Sequence, residues 1–139
     1  KAFNITNKKV VVQGFGNVGS FAAKFLYEKG FKVLAVSDSK GGIYNESGLD
    51  IEKVLEHKKK TKHVKDFEGA NNITNEELLE LETDVLVLGA MENQVTQENA
   101  HRVKANLILE MANGPITPEA DVILDKKQVP IIPDILANA

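Results

Sequence analysis

The 139-residue sequence contains no cysteine and no tryptophan. Without cysteine there can be no disulfide, no thiolate metal site and no thiol nucleophile, and the composition suits a reducing compartment. A cytoplasmic location is the expectation. Long apolar runs are also missing. None approaches the roughly 20 residues that cross a bilayer, and no signal-peptide pattern is visible, so no membrane partner is expected. Neither sign of charge dominates: 17 Lys and Arg face 20 Asp and Glu, for a net charge of −3. That balance gives no reason to expect nucleic acid. The basic stretch His57 to Lys65 has no interleaved aromatic residues and reads as a solvated helix end. The metal-hydrolase, serine-hydrolase and phosphate-loop motifs H-E-x-x-H, G-x-S-x-G and G-K-[ST] are all absent. His57, His63 and His101 lie in polar, helical surroundings, so no catalytic residue is assigned.

What is present is ordered around Lys8 to Gly30. Val10, Val11 and Val12 are a β-branched run typical of a buried strand. Gly14-Phe15-Gly16-Asn17-Val18-Gly19 follows and matches G-x-G-x-x-G. Val18, Phe21, Ala22, Phe25 and Leu26 then recur at helical spacing as one apolar stripe, with Gly30 as the stop. In such a unit the first glycine permits the tight turn and the second lets backbone approach a pyrophosphate. The third lets the helix pack close to the strand. The helix N-terminus adds free N–H groups and partial positive charge. Residues 31–37 read as a second buried strand ending at Asp38, the right distance for the carboxylate that binds ribose hydroxyls.

The remaining chain alternates in the same way. Residues 39–48 are rich in turn formers and read as a loop, and 49–60 as an amphipathic helix. Thr74 to Glu77 fits a capping box opening a helix through Leu81. Residues 84–90 read as a third strand, 96–103 as a short helix and 107–109 as a fourth strand. Thr117-Pro118 starts a helix reaching Lys126 or Lys127, and 129–132 make a fifth strand. The length supports one domain over residues 1–139. The alternation predicts an α/β fold: a Rossmann-like, doubly wound, mostly parallel sheet with helices on both faces. Gly14 to Gly19, Asp38, Gly89 to Asn93, Asn113 and Asn138 follow successive strands. They would therefore line the carboxyl edge, where such sheets bind ligands.

Several segments go beyond this pattern. VVVQGFGNVGS, AVSDSKGGIYNESGLD, ANGPITPEAD and IPDILANA together resemble the cofactor domain of the glutamate dehydrogenases, within the glutamate, leucine, phenylalanine and valine dehydrogenase family. The SDSKGGIYN segment resembles the glutamate branch in particular. The resemblance implies an NAD- or NADP-dependent oxidative deamination of L-glutamate to 2-oxoglutarate and ammonia. It implies that the substrate domain, with its catalytic Lys and Asp, precedes this stretch, so the chain is expected to be a fragment of a larger two-domain enzyme. A homo-hexamer is implied for the full-length protein and a monomer for the fragment. By matched position, Gly14, Phe15, Gly16, Asn17, Val18 and Gly19 would hold the pyrophosphate. Asp38 and Ser39 would meet the adenosine ribose. Gly89, Ala90 and Met91 would pass near the cofactor, and Asn113 and Asn138 would contact the nicotinamide end. Ser39 and Lys40 could favour a 2′-phosphate, whereas Asp38 favours NAD. Leu88, Gly89 and Met111 depart from the residues common in the family. A dinucleotide-binding regulatory module and a leucine, phenylalanine or valine dehydrogenase remain alternatives.

Overall fold

The computed structural model describes residues 8–89, 94–111 and 114–133. Within them the strands are β1 (Lys9–Gln13), β2 (Lys32–Asp38), β3 (Gly41–Tyr44), β4 (Asn71–Ile73), β5 (Val85–Leu88), β6 (Leu107–Glu110) and β7 (Ile131–Ile132). The helices are α1 (Asn17–Glu28), α2 (Ile51–Thr61), α3 (Asn75–Leu79) and α4 (Pro118–Lys126), with a 3₁₀ turn at Ala100–Arg102. The sheet runs β4-β3-β2-β1-β5-β6-β7. β2, β1, β5, β6 and β7 are mutually parallel. This confirms the α/β, doubly wound reading.

The Val-rich strands are buried because both sheet faces are covered. On one face Val10, Val12, Val33, Val36, Val85 and Val87 pack with Ala22 and Ala23 of α1 and Ile51 and Val54 of α2. On the other, Val11, Leu34, Ala35, Leu86, Leu88 and Ile108 pack with Leu78 and Leu79 of α3 and Ala120 and Leu124 of α4. Among the described residues no helix is long and apolar enough to cross a membrane.

Helix starts follow the expected chemistry. Asp50 caps α2 by accepting from the Lys53 N–H. In α3 the Glu77 N–H donates to Thr74 Oγ1 at 3.0 Å and the Thr74 N–H to Glu77 Oε1 at 2.8 Å, closing the capping box. Thr117 caps α4, with Pro118 in its first turn.

Three expectations change. Residues 39–48 are not loop throughout, because Gly41–Tyr44 within them form β3. β3 pairs antiparallel with β2, and β4 antiparallel with β3, extending the sheet by two strands. Gly42 allows this: a Cβ there would lie 3.2 Å from the Ser37 side chain and the Val36 carbonyl. Residues 96–103 hold only the 3₁₀ turn. Lys127 Nζ donates to the carbonyls of His101 and Val103 at 2.9 and 2.6 Å, taking acceptors that a continuing helix would use itself. Third, the α1 stripe is split: Ala22 and Leu26 pack into the core, and the rest of it is turned outward. Val18, Phe21 and Phe25 are exposed, while Gly19, Ala22 and Ala23 face the sheet. The close approach at Gly19 leaves room for small residues only.

Candidate functional site

The chain runs outward from β1 through β2, β3 and β4, then returns to β5 on the other side of β1. β1 and β5 stay paired to their carboxyl ends, but the segments that leave them pack on opposite faces of the sheet, which makes this the topological switch point where open α/β sheets bind ligands. A cavity of about 510 Å³ lies there, lined by Gln13, Gly14, Phe15, Gly16, Asp38, Ser39, Lys58, Asn75, Gly89 and Gln94. A second cavity of about 520 Å³ shares Asp38, Ser39 and Asn75 and continues towards Lys40, Lys65 and Thr74. The two form a trough along one edge of the sheet.

Each glycine of the turn has a separate physical role. Gly14 takes φ +88°, a region L side chains avoid. Gly19 lies directly over the turn: a Cβ there would sit 1.6 Å from the Gly14 carbonyl oxygen. Gly16 is the reverse case. A Cβ there meets nothing within 4 Å, so its surroundings are open space at the cavity wall and the start of α1. No side chain caps α1, leaving its first N–H groups without a side-chain acceptor at this end. Gly89 is small for a protein reason. A Cβ would lie 3.1 Å from the Gln13 and Gly14 carbonyl oxygens and from Gly19 Cα, so what approaches it is the glycine turn itself.

Asp38 stands at the end of β2 with its side chain 8% exposed. Its Oδ1 accepts from the Lys40 N–H at 2.9 Å. Its Oδ2 accepts from the Val64 N–H at 2.8 Å and from Lys58 Nζ at 3.4 Å. A bulge in β2 decides which way it faces. Val10 pairs with Val33 but Val11 with Ala35, so Leu34 is an extra residue and the alternation resets. Leu34 and Ala35 both join the α3–α4 face, and Val36 returns to the α1–α2 face. Two residues on, Asp38 points to the side where Lys58 of α2 waits.

Lys58 was hidden in the basic run. Its Nζ donates to the Phe15 carbonyl at 2.8 Å and stands 5.7 Å over the Phe15 ring. It thus ties α2 to the glycine turn and to Asp38. Its spacing was the available signal: it falls seven residues after buried Ile51 and four after buried Val54, on the inward face. A polar chain under the trough was also missed. Ser37 Oγ donates to Asn75 Oδ1 at 2.9 Å, and Asn75 Nδ2 and Gln13 Nε2 both donate to Gln94 Oε1, at 3.1 and 3.0 Å. It joins the ends of β1 and β2 to the start of α3.

Of the sequence-predicted residues, the structure brings together Gly14, Phe15, Gly16, Asp38, Ser39 and Gly89. Phe15 contributes backbone, since its ring is buried in the core. Asn17 opens α1, and the Val18 side chain lies on the exposed face. Ser39 and Lys40 are exposed. Ala90, Met91, Asn113 and Asn138 lie outside the described residues. None of the histidines lines either cavity; His57 Nε2 instead bonds the Lys65 carbonyl at 2.8 Å. Farther along the edge, Glu110 has its pKa pushed up by burial and by the nearby Asp121 carboxylate.

All 139 residues match the profile of the glutamate/leucine/phenylalanine/valine dehydrogenases. The chain belongs to this family. It is 48% identical over 135 residues to the NADP-specific glutamate dehydrogenase of Saccharolobus shibatae, covering 97% of this chain and 32% of that protein. It is 45% identical over 139 residues to a catabolic NAD-specific glutamate dehydrogenase of Bacillus subtilis, covering 100% and 32%. The fold superimposes on a crystal structure of the hetero-hexameric glutamate dehydrogenase of Thermus thermophilus in a leucine-bound form. That match has a TM-score of 0.85 at 36% identity, over 94% of this chain and 30% of that one. The chain thus spans about a third of the length of the curated relatives it matches.

Proposed function

We propose that these residues form the dinucleotide-binding domain of a cytoplasmic, NAD- or NADP-dependent glutamate dehydrogenase. The full protein would convert L-glutamate to 2-oxoglutarate and ammonia in a hexameric assembly. The observation that carries this is the glycine turn: Gly14 and Gly19 are required by the fold, whereas Gly16 borders open space at an uncapped helix start. A pyrophosphate fits there, accepting from backbone N–H groups and meeting the positive end of α1. The Asp38 carboxylate would accept from ribose hydroxyls, and Asn113 and Asn138 would serve the nicotinamide end. When bound, the dinucleotide supplies the hydride acceptor, while this domain binds and orients it. Substrate selection and the proton-transfer groups belong to polypeptide beyond these residues, so the isolated domain binds cofactor without turning over glutamate.

Both cofactors enter the reading because Asp38 is not a bare charge. Lys58 Nζ, 3.4 Å away, offsets the repulsion a carboxylate would exert on a 2′-phosphate. The relatives include both NADP-specific and NAD-specific enzymes. The experiment is steady-state reduction of NAD and of NADP by the full-length protein with L-glutamate, L-leucine, L-phenylalanine and L-valine. Glutamate is expected to give the highest kcat/KM. Preference for another of the four moves the protein to a different branch of the family, and no reduction with any of them rejects the proposal.

A further inference from the structure

The two cavities of the trough share Asp38, Ser39 and Asn75 in their walls. On the crevice reading the pyrophosphate lies at Gly16 and the adenosine ribose at Asp38, so the ribose meets this junction. The ribose of NAD offers two hydroxyls, and Asp38 has room for one. An ionised carboxylate has about four acceptor positions. The Lys40 N–H, the Val64 N–H and Lys58 Nζ take three of them. The position left is on Oδ1, which accepts only from Lys40.

Asn75 has the capacity that Asp38 lacks. The Gly14 N–H donates to Ser37 Oγ at 3.4 Å, so the Ser37 hydroxyl directs its own hydrogen to Asn75 Oδ1 at 2.9 Å. This orients the amide, with its oxygen towards Ser37 and its nitrogen donating to Gln94 Oε1 at 3.1 Å. A side-chain amide has two N–H groups and two acceptor positions. One of each on Asn75 therefore has no described partner. The Ser39 hydroxyl can also donate and accept, but Ser39 is exposed and would have to be ordered on binding. Asn75 is already held from both sides. We propose that Asn75 meets the 2′-position of the adenosine ribose and admits either cofactor there. Its oxygen accepts from the 2′-hydroxyl of NAD, and its N–H donates to the 2′-phosphate of NADP. Asp38 keeps the 3′-hydroxyl. The proposal rests on the crevice reading and adds to it the residue that meets the one group by which the two cofactors differ.

The test is calorimetric titration of NAD and NADP into the full-length protein and its Asn75→Asp variant, with circular dichroism confirming the fold. The substitution is isosteric, keeps an acceptor for Ser37 and puts a carboxylate in the first turn of α3, where it is tolerated. It can still accept from a hydroxyl but can no longer donate to a phosphate. NADP should weaken about 10- to 100-fold relative to NAD, through a lost charge-assisted bond and a new like-charge pair. Ser37→Ala breaks the same polar chain without touching the ligand-facing groups, so it should move both affinities alike. An unchanged NAD/NADP ratio in Asn75→Asp, or an equal shift of that ratio in Ser37→Ala, overturns the proposal. A second variant gives an independent reading. The 2′-deoxyadenosine analogue of NAD should bind the wild type roughly 2- to 10-fold more weakly than NAD, and Asn75→Ala should bind the two alike. A loss of the same size in Asn75→Ala overturns the proposal. Failure of the crevice reading looks different: the wild type then binds neither cofactor, and the role of Asn75 falls with it.

Discussion

Replacing Lys58 by methionine removes a charge from the trough while keeping a stem over the Phe15 ring. The variant loses the 2.8 Å bond to the Phe15 carbonyl and the 3.4 Å pairing with Asp38. Asp38 keeps its donors from the Lys40 and Val64 N–H groups, so the carboxylate is not orphaned. The stability cost is therefore moderate, about 1–2 kcal/mol, since Lys58 is partly exposed. The effect on binding is selective. NAD presents neutral hydroxyls to Asp38, whereas NADP presents a phosphate. Two unit charges about 4 Å apart interact by about 1 kcal/mol in water and about 4 kcal/mol at an effective dielectric near 20. The open trough lies between these limits. Lys58→Met should then weaken NADP by about 1–3 kcal/mol, roughly 5- to 150-fold in Kd, beyond any loss for NAD. Fluorescence titration of both cofactors against the wild type and the variant reads the ratio. An unchanged NAD/NADP ratio would show that Lys58 does not act on the 2′-position and that the pose about Asp38 is wrong.

Other substitutions test separate parts of the site. Gly19→Ala drives a methyl into the backbone carbonyl of Gly14, which cannot swing aside as a side chain could, and should cost about 3 kcal/mol or more, read as a collapsed thermal midpoint. Asn75→Ala and Ser37→Ala each break the chain of bonds under the trough and should cost about 1–2 kcal/mol in urea denaturation. The double variant should fall short of the sum, because both remove the same bond. Glu110 has a raised folded pKa, so the folded state holds its proton at a pH where the unfolded chain has released it. Its contribution to stability therefore declines as pH rises from the ordinary value of 4.5 through the folded value. Glu110→Gln should be more stable than wild type at pH 7, with the difference vanishing below pH 4.5. A pH series of thermal midpoints checks the sign.

The parts that were legible in the sequence share a cause. Val10–Val12 and Val85–Leu88 are buried on both sides, so their apolar runs announce strands without reference to neighbours. Thr74 and Thr117 cap helices through contacts three residues away, which local sequence contains. What escaped depends on distant contacts. Gly41-Gly42 looks like a turn, and only the Ser37 side chain opposite Gly42 shows why a strand needs glycine there. The outward turn of Phe21 and Phe25 follows from Gly19 lying against Gly14, which a stripe of apolar residues does not reveal. The facing of Asp38 depends on the Leu34 bulge, and a bulge leaves no mark in a run of valine, leucine and alanine. Lys58 looked like one lysine among many until α2 was placed beside the glycine turn.

In the proposed function the space at Gly16 belongs to a dinucleotide, and Gly16→Val is the sharpest probe of that assignment. Chain neighbours aside, no protein atom lies within 4 Å of the new Cβ, and Gly16 has φ −84°, outside the left-handed region that favours glycine, so the variant should fold. Isothermal titration calorimetry of NAD and NADP, with circular dichroism confirming the fold, is the measurement. Binding by the wild type and none by a folded Gly16→Val variant is the expected outcome. No binding by the wild type, or equal binding by both, would contradict it.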